Sequence, residues 1–242
     1  MKKSSTIFAA IIIFLLAISC SDDEKSETQQ EEVHKNLLLK TTDSDDGLTN
    51  VYTYDENNRV VNYKRNGSAN NSAVDQNFTY NADGTLHKII QTDGTPVMEF
   101  FYDADKKITT KIGRNGLDIF KYTYNGNVIT EDYRFTTTNE GWRQVYTYDE
   151  NGNIAESKSY LKTSDANPEG TSSAVVTYTY DDKKRATSSL PEAFLFPVSV
   201  NNIKTSQYNG GAIGSSQYEY NADDYPTKRT DSYTRTYEYK RL

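Results

Sequence analysis

The 242-residue chain has one cysteine, two histidines, one tryptophan and five prolines, and each scarcity removes a class of protein. With Cys20 alone, no disulfide forms within the chain. Cys20, His34 and His87 cannot complete a four-ligand zinc site, so no metal is expected and no cofactor is indicated. His87 sits in a strand-like stretch and His34 in an acidic one. Neither Ser172-Ser173 nor Ser215-Ser216 has the G-x-S-x-G elbow that a nucleophilic serine needs, so no catalytic residue is singled out and an enzyme is not expected. Basic residues are outnumbered, 27 Lys and Arg against 34 Asp and Glu, for a net charge of −7. They are also scattered, which argues against a nucleic-acid partner. No window sustains a 3.6-residue apolar period, so helix should be nearly absent. The one long apolar run, Ile7 to Ile18, covers 12 residues. A bilayer-spanning helix needs about 20.

That run follows Lys2 and Lys3 and ends at Ser19 and Cys20, the layout of an export signal. Leu16-Ala17-Ile18-Ser19-Cys20 resembles the lipobox of bacterial lipoproteins, with Ala17 where those proteins usually carry Leu. The resemblance implies that residues 1–19 are removed as a signal peptide and that the Cys20 thiol carries a diacylglycerol at the start of the mature chain. An ordinary secretory peptide with an incidental cysteine is the competing reading. Each buried lipid methylene contributes about 0.8 kcal/mol, so two or three chains anchor stably where one does not.

Without Lys2 and Lys3 the chain holds 25 basic and 34 acidic residues, a formal charge of −9. Residues 20–35 form an acidic tether. From Ser21 to Asn36 there are six acids and no aromatic residue, too little apolar surface to offset the entropy of ordering. Acids directly after the cysteine resemble the export signal of surface-displayed lipoproteins in some Gram-negative bacteria, and Ser21 fits release to the outer membrane. The expected location is therefore the outer membrane, facing outward, with the membrane reached through Cys20. A plain solvated spacer is the alternative reading of the acids.

Residues 36–242 are dominated by tyrosine, 20 in the whole chain. An aromatic-x-Tyr core recurs eight times, ending at Tyr54, Tyr80, Tyr102, Tyr124, Tyr148, Tyr180, Tyr220 and Tyr239. Seven cores run into Asp or Asn. In Tyr148-Asp149-Glu150-Asn151-Gly152-Asn153-Ile154, a type I turn followed by a left-handed Gly152 makes a three-residue hairpin loop. This pairs Asp149 with Asn153 and sets Tyr148 opposite Ile154. The same offset predicts Tyr54 opposite Val60, Tyr80 opposite Leu86, Tyr102 opposite Ile108 and Tyr180 opposite Ala186. Asn125-Gly126 reads as a two-residue turn that sets Tyr122 opposite Ile129. Each unit is a hairpin, and short turns between neighbours make the whole an all-β antiparallel meander of about 14–17 strands, curled or closed into a soluble barrel-like sheet.

Two spacings are stretched. Thr163 to Thr171 reads as a polar surface loop. Ser188 to Gly211 contains Leu190-Pro191-Glu192-Ala193-Phe194-Leu195-Phe196-Pro197, whose prolines exclude a central strand. So apolar a loop should cover one open end of the sheet, with a groove-lining role as the alternative.

The unit aromatic-x-Tyr-Asp-x-x-Gly-x-Ile, as in Tyr146 to Ile154, resembles the YD repeat of Rhs-type shell proteins. The lipobox, tether and roughly eight hairpins together are similar to YD-repeat lipoproteins with a porin-like fold. That resemblance implies architecture and no activity. Polar residues at alternate positions and a mean hydropathy of −0.80 oppose a lipid-facing barrel. Asp43-Ser44-Asp45-Asp46-Gly47 and the Asp149 turn are oxygen-rich, but turn geometry accounts for their acids. A glycosidase needs only two placed carboxylates, and no pair stands out. The expected function is a surface-anchored, non-enzymatic binding or structural β module whose ligand the sequence does not specify, an extracellular glycan or protein being the partner to look for. A glycan-binding accessory lipoprotein is the rival, with Trp142 the candidate ligand-binding residue, and a glycoside hydrolase the third reading.

Overall fold

The computed structural model describes residues 35–67, 73–138, 140–162 and 171–242. The expected signal segment 1–19, Cys20, His34 and all but the last residue of the expected tether lie outside the described residues, as do positions 163–170 of the first stretched spacing.

Short, alternating, β-branched and aromatic segments separated by Asx and glycine turns give seventeen strands among the described residues. They are β1 (Asn36–Asp43), β2 (Thr49–Tyr54), β3 (Val60–Arg65), β4 (Val74–Tyr80), β5 (Leu86–Gln91), β6 (Pro96–Tyr102), β7 (Ile108–Gly113), β8 (Asp118–Asn125), β9 (Val128–Phe135), β10 (Gly141–Tyr148), β11 (Ile154–Lys162), β12 (Thr171–Lys184), β13 (Asn201–Tyr208), β14 (Ile213–Ser215), β15 (Gln217–Tyr220), β16 (Pro226–Thr230) and β17 (Thr234–Arg241). Helix among the described residues amounts to the single turn α1 (Glu192–Leu195) and a three-residue 3-10 turn at Arg114–Gly116. Each strand from β1 to β13 pairs antiparallel with the next. The chain then passes through Ser216, whose N–H donates to the Lys204 carbonyl at 2.9 Å, into β15, β16 and β17. β17 pairs with β1, so the meander rolls into a nearly closed barrel.

The expected loops form as three-residue turns. At Asp149 the backbone N–H donates to the Asn153 carbonyl at 2.8 Å, and Gly152 sits at φ +78°. The Asp149 carboxylate accepts from the N–H groups of Asn151 and Asn153, both at 2.9 Å. Asp55, Asp103 and Asn221 do the same in their own turns. Val60, Leu86, Ile108 and Ile154 accordingly stand opposite Tyr54, Tyr80, Tyr102 and Tyr148.

Two registers depart from expectation. Gly126, at φ +58°, takes the first central position of its turn, so Gly126-Asn127 and not Asn125-Gly126 is the loop. Tyr124 therefore faces Ile129, while Tyr122 faces Glu131. The Tyr180 unit makes no tight turn: β12 continues to Lys184, and Tyr180 faces Ile203 instead of Ala186. The Asp181 carboxylate accepts from the Lys183 N–H at 3.1 Å, as in the other turns, but also from the Asn202 N–H at 3.2 Å and the Tyr220 hydroxyl, which tie it to β13 and β15.

The repeated tyrosines link one hairpin to the next. The hydroxyl of Tyr80 donates to the Val60 carbonyl at 2.7 Å, Tyr102 to Leu86, Tyr124 to Ile108 and Tyr180 to Ile154, each at 2.8 Å. Tyr54 reaches Leu38, and Tyr239 reaches Pro226, in the same manner. Burial pushes the Tyr54, Tyr80 and Tyr102 hydroxyls up to about 12, which keeps them protonated donors at neutral pH. The outer wall carries cross-strand ion pairs instead of an apolar band: Lys40 with Glu238, Lys64 with Asp75, Lys88 with Glu99 and Lys228 with Glu219.

The proline-bounded segment goes further in than a cover for the end. Leu190 and Ala193 join the buried core with Leu38, Val60, Phe78, Leu86, Ile89, Phe100, Ile108 and Tyr122. Phe194 meets Phe78 edge-on at 5.1 Å, and Phe196 meets Tyr122 edge-on at 5.1 Å. The segment is a plug inside the barrel, held because each large apolar side chain buried there contributes about 1.5–3 kcal/mol.

Candidate functional site

Apart from the plug's own residues, every buried residue of the core cluster belongs to the wall from β1 to β8. The plug therefore leans to one side. The opposite wall, β10 to β17 with the ends of β1 to β3, borders a cavity of about 1100 Å³. A second space of about 640 Å³ lies on the side of the YD-type turns, between Asn58, Thr85, Lys107 and the plug residues Ser188–Ala193.

The larger cavity has an unusual wall for an acidic protein. Arg65, Arg185, Arg229 and Arg235 line it, and Asp231 is its one lining carboxylate among the described residues. Arg229 Nε donates to Asp231 at 2.7 Å, and Arg235 donates to both oxygens of Asp43 at 2.5 and 2.8 Å. The two guanidiniums lie 5.7 and 5.6 Å from the ring centre of Tyr233, which fixes them further. Arg185 donates through Nη1 to the Ser199 carbonyl, while its Nε is buried with no hydrogen-bond acceptor among the described residues. Burial pulls the Arg185 guanidinium down from its ordinary range, with Glu192 opposing. Between the arginines stand Tyr52, Tyr146, Tyr178 and Tyr237.

A separate buried cluster lies against the plug. Tyr122 donates to Glu131 Oε2 at 2.5 Å, and Lys111 Nζ donates to the Phe196 carbonyl at 3.0 Å. Burial raises the Glu131 carboxyl above the ordinary Glu range, and the Tyr122 hydrogen bond and the Lys111 charge oppose that rise. Burial likewise lowers Lys111. The other two buried carboxylates, Asp43 and Asp118, are each gripped by an arginine, Arg235 and Arg114.

Trp142 faces the interior, since it pairs with Tyr133 and Leu161 on the inward face of β10, at the end away from the YD-type turns. Its ring stacks on Tyr133 at 3.9 Å and remains 36% exposed. It does not line the arginine-rich cavity. His87 lies 3.4 Å from Glu99 on a half-exposed site. Asp46 and Asp149 accept backbone N–H groups of their own turns, and no group of three potential metal ligands occurs among the described residues. Sequence reading missed the Tyr122–Glu131 pair because which residue faces Tyr122 depends on the turn register. It missed the arginines because they are separated by up to 170 positions and only barrel closure brings them to one wall. Their signal was faint: inward phase on the strands, at Arg65 and Arg229 opposite Asn50 and Tyr218.

No protein-family model matches the chain, nor does any curated protein sequence. Solved structures do match. A porin-like protein from Bacteroides vulgatus aligns at 13% identity over 84% of this chain and 98% of its own, with a TM-score of 0.50. A porin-like protein from Bacteroides uniformis aligns at 15% identity over 86% and 95%, with a TM-score of 0.49. The complex TcdB2-TccC3 without its hypervariable C-terminal region matches 71% of this chain at 12% identity and a TM-score of 0.38, over only 10% of its own length. The Bacteroides vulgatus likeness is one of fold, an all-β barrel-like architecture.

Proposed function

We propose that this protein is a lipid-anchored, non-enzymatic binding module on the outer membrane, and that it binds inside the barrel instead of on its outer wall. The observation that carries this reading is the one-sided plug. A chain that packs its plug against one wall leaves about 1100 Å³ open along the other, lined by arginines, tyrosines and hydroxyls together with the plug's own Phe194 and Leu195. Non-enzymatic action is supported by the hold on the buried carboxylates among the described residues: Asp43 and Asp118 are engaged by arginines and Glu131 by the Tyr122 hydroxyl, and the cavity's Asp231 is engaged by Arg229. The aromatic-x-Tyr-Asp units and the lipobox at Cys20 support a place among YD-repeat lipoproteins. The ion-paired outer wall supports a barrel that stands in water beside the membrane.

The geometry fits an anchored module. Lys35, the first described residue, accepts at its carbonyl from the Leu242 N–H at 2.9 Å, and Asn36 bonds Asp223 in a YD-type turn at 3.0 Å. The described chain thus begins at the end of those turns, and the cavity runs from Ile154 and Asn201 near that end to Leu48, Asp231 and Ser232 at the other.

Two measurements test the reading. Cys20→Ala should abolish lipid labelling and release the protein from the membrane fraction; labelling that persists refutes the anchor. Ser206→Trp, on the cavity wall, should remove binding of whatever the full chain captures on a glycan array while the melting temperature holds within a few degrees. Binding that survives a filled cavity refutes the internal site.

A further inference from the structure

We infer that the arginine-lined cavity takes an acidic saccharide, a sugar bearing carboxylate or sulfate groups. This rests on the internal-binding reading and narrows it to one ligand chemistry.

Charge comes first. A chain of net charge −7 has more acids than bases to place anywhere, yet the residues that line this cavity include four arginines and one aspartate, Asp231, with Asp43 behind Arg235. Lone surface cations on such a protein are expected; four converging from β3, the segment that leaves β12 for the plug, β16 and β17, against Asp231 and Asp43, are a local reversal of the protein's own sign. An anion entering there is attracted where the remainder of the molecule repels it.

Preorganisation comes second. Arg229 and Arg235 are held by Asp231 and Asp43 and flank Tyr233, so little side-chain freedom remains to be lost when an anion docks. Each planar guanidinium has five donors, and Asp231, Asp43 and Tyr233 take those of Nε and Nη2, which leaves the Nη1 groups to meet carboxylate or sulfate oxygens. Arg185 is the least compensated of the set. It is ion-paired to no carboxylate among the described residues, Glu192 acts on it only through space, and a ligand anion beside it would relieve a half-buried charge.

Ring faces come third, and they separate a sugar acid from a bare anion. Tyr52, Tyr146, Tyr178 and Tyr237 stand on the same wall, and burial pushes the Tyr237 hydroxyl up to about 12, so it is a neutral donor and acceptor. Flat aromatic faces cover the C–H faces of a pyranose while hydroxyls and amides meet its oxygens. A volume of about 1100 Å³ is on the scale of an oligosaccharide of a few rings rather than a single ion.

The test is calorimetric titration of the full chain in detergent with trigalacturonic acid, its fully methyl-esterified form, a sulfated trisaccharide and inorganic sulfate. The charged trisaccharide, carboxylated or sulfated, should bind at least tenfold more tightly than the ester, weaken as salt is raised, and lose about tenfold in Arg185→Gln. Whichever acid binds identifies the anionic group. Equal binding of acid and ester overturns the acidic class; if Ser206→Trp still removes both, the internal site stands. Acid binding that ignores Ser206→Trp removes the internal site as well. Binding of inorganic sulfate as tight as the trisaccharide overturns the saccharide and leaves an anion site. No binding of either acid overturns the proposal outright. Should Arg185→Gln fail to fold, the salt dependence of the wild-type protein decides alone.

Discussion

The two walls of this barrel are built from the same repeat and end in opposite states. From β1 to β8 the inward aromatic and aliphatic positions meet the plug and close into a core. From β10 to β17 the same inward phase carries tyrosines that meet a cavity and arginines. The plug leaves the chain between β12 and β13, on the cavity side, and crosses to pack on the far wall through Phe194 and Phe196. A repeat thus supplies a scaffold, and a single non-repeating insertion decides which part of its interior becomes core and which becomes a site.

The largest expected effect sets the walls against each other. Phe78→Ala, in the filled half, should cost about 3–5 kcal/mol in urea unfolding. Tyr178→Ala, on the cavity wall, should cost under about 2 kcal/mol. Equal losses would mean that both walls are filled alike. A smaller effect concerns Glu131, whose burial raises its carboxyl. The native state keeps that proton when the unfolded chain has released it, so Glu131's contribution is full below the ordinary carboxylate range and fades as pH rises through its native value. Across that window its loss is at most about 1.4 kcal/mol per pH unit. Glu131→Gln should flatten the fall in urea midpoint above the ordinary Glu range, and an unchanged slope would show the carboxyl already ionised. Smallest is Tyr102→Phe, which strands the Leu86 carbonyl and should cost about 1 kcal/mol by thermal unfolding. No loss would mean that the tyrosine ladder only accompanies ring burial.

Much of the barrel was legible because hairpin register is a local matter. Asp149, Gly152 and Ile154 lie within one loop, and the turn they form needs nothing from the remainder of the chain. The failures occurred where that locality broke. At Gly126 two neighbouring residues could each occupy the first central position, and moving the loop by one residue set Glu131 in place of Ile129 opposite Tyr122. At Asp181 the expected turn residue was captured by Asn202 and Tyr220, partners 21 and 39 positions away. Trp142 was legible as unusual; its inward direction and its stack on Tyr133 followed only from the pairing of β9 with β10.

The sequence by itself determined strand, turn and phase, because alternation and Asx–glycine chemistry act over a few residues. Tertiary structure alone decided that Phe194 and Phe196 would enter the barrel and that Arg65, Arg185, Arg229 and Arg235 would share one cavity. Closing a ring brings together residues far apart along the chain, and where each apolar side chain comes to rest depends on the space that all the others leave.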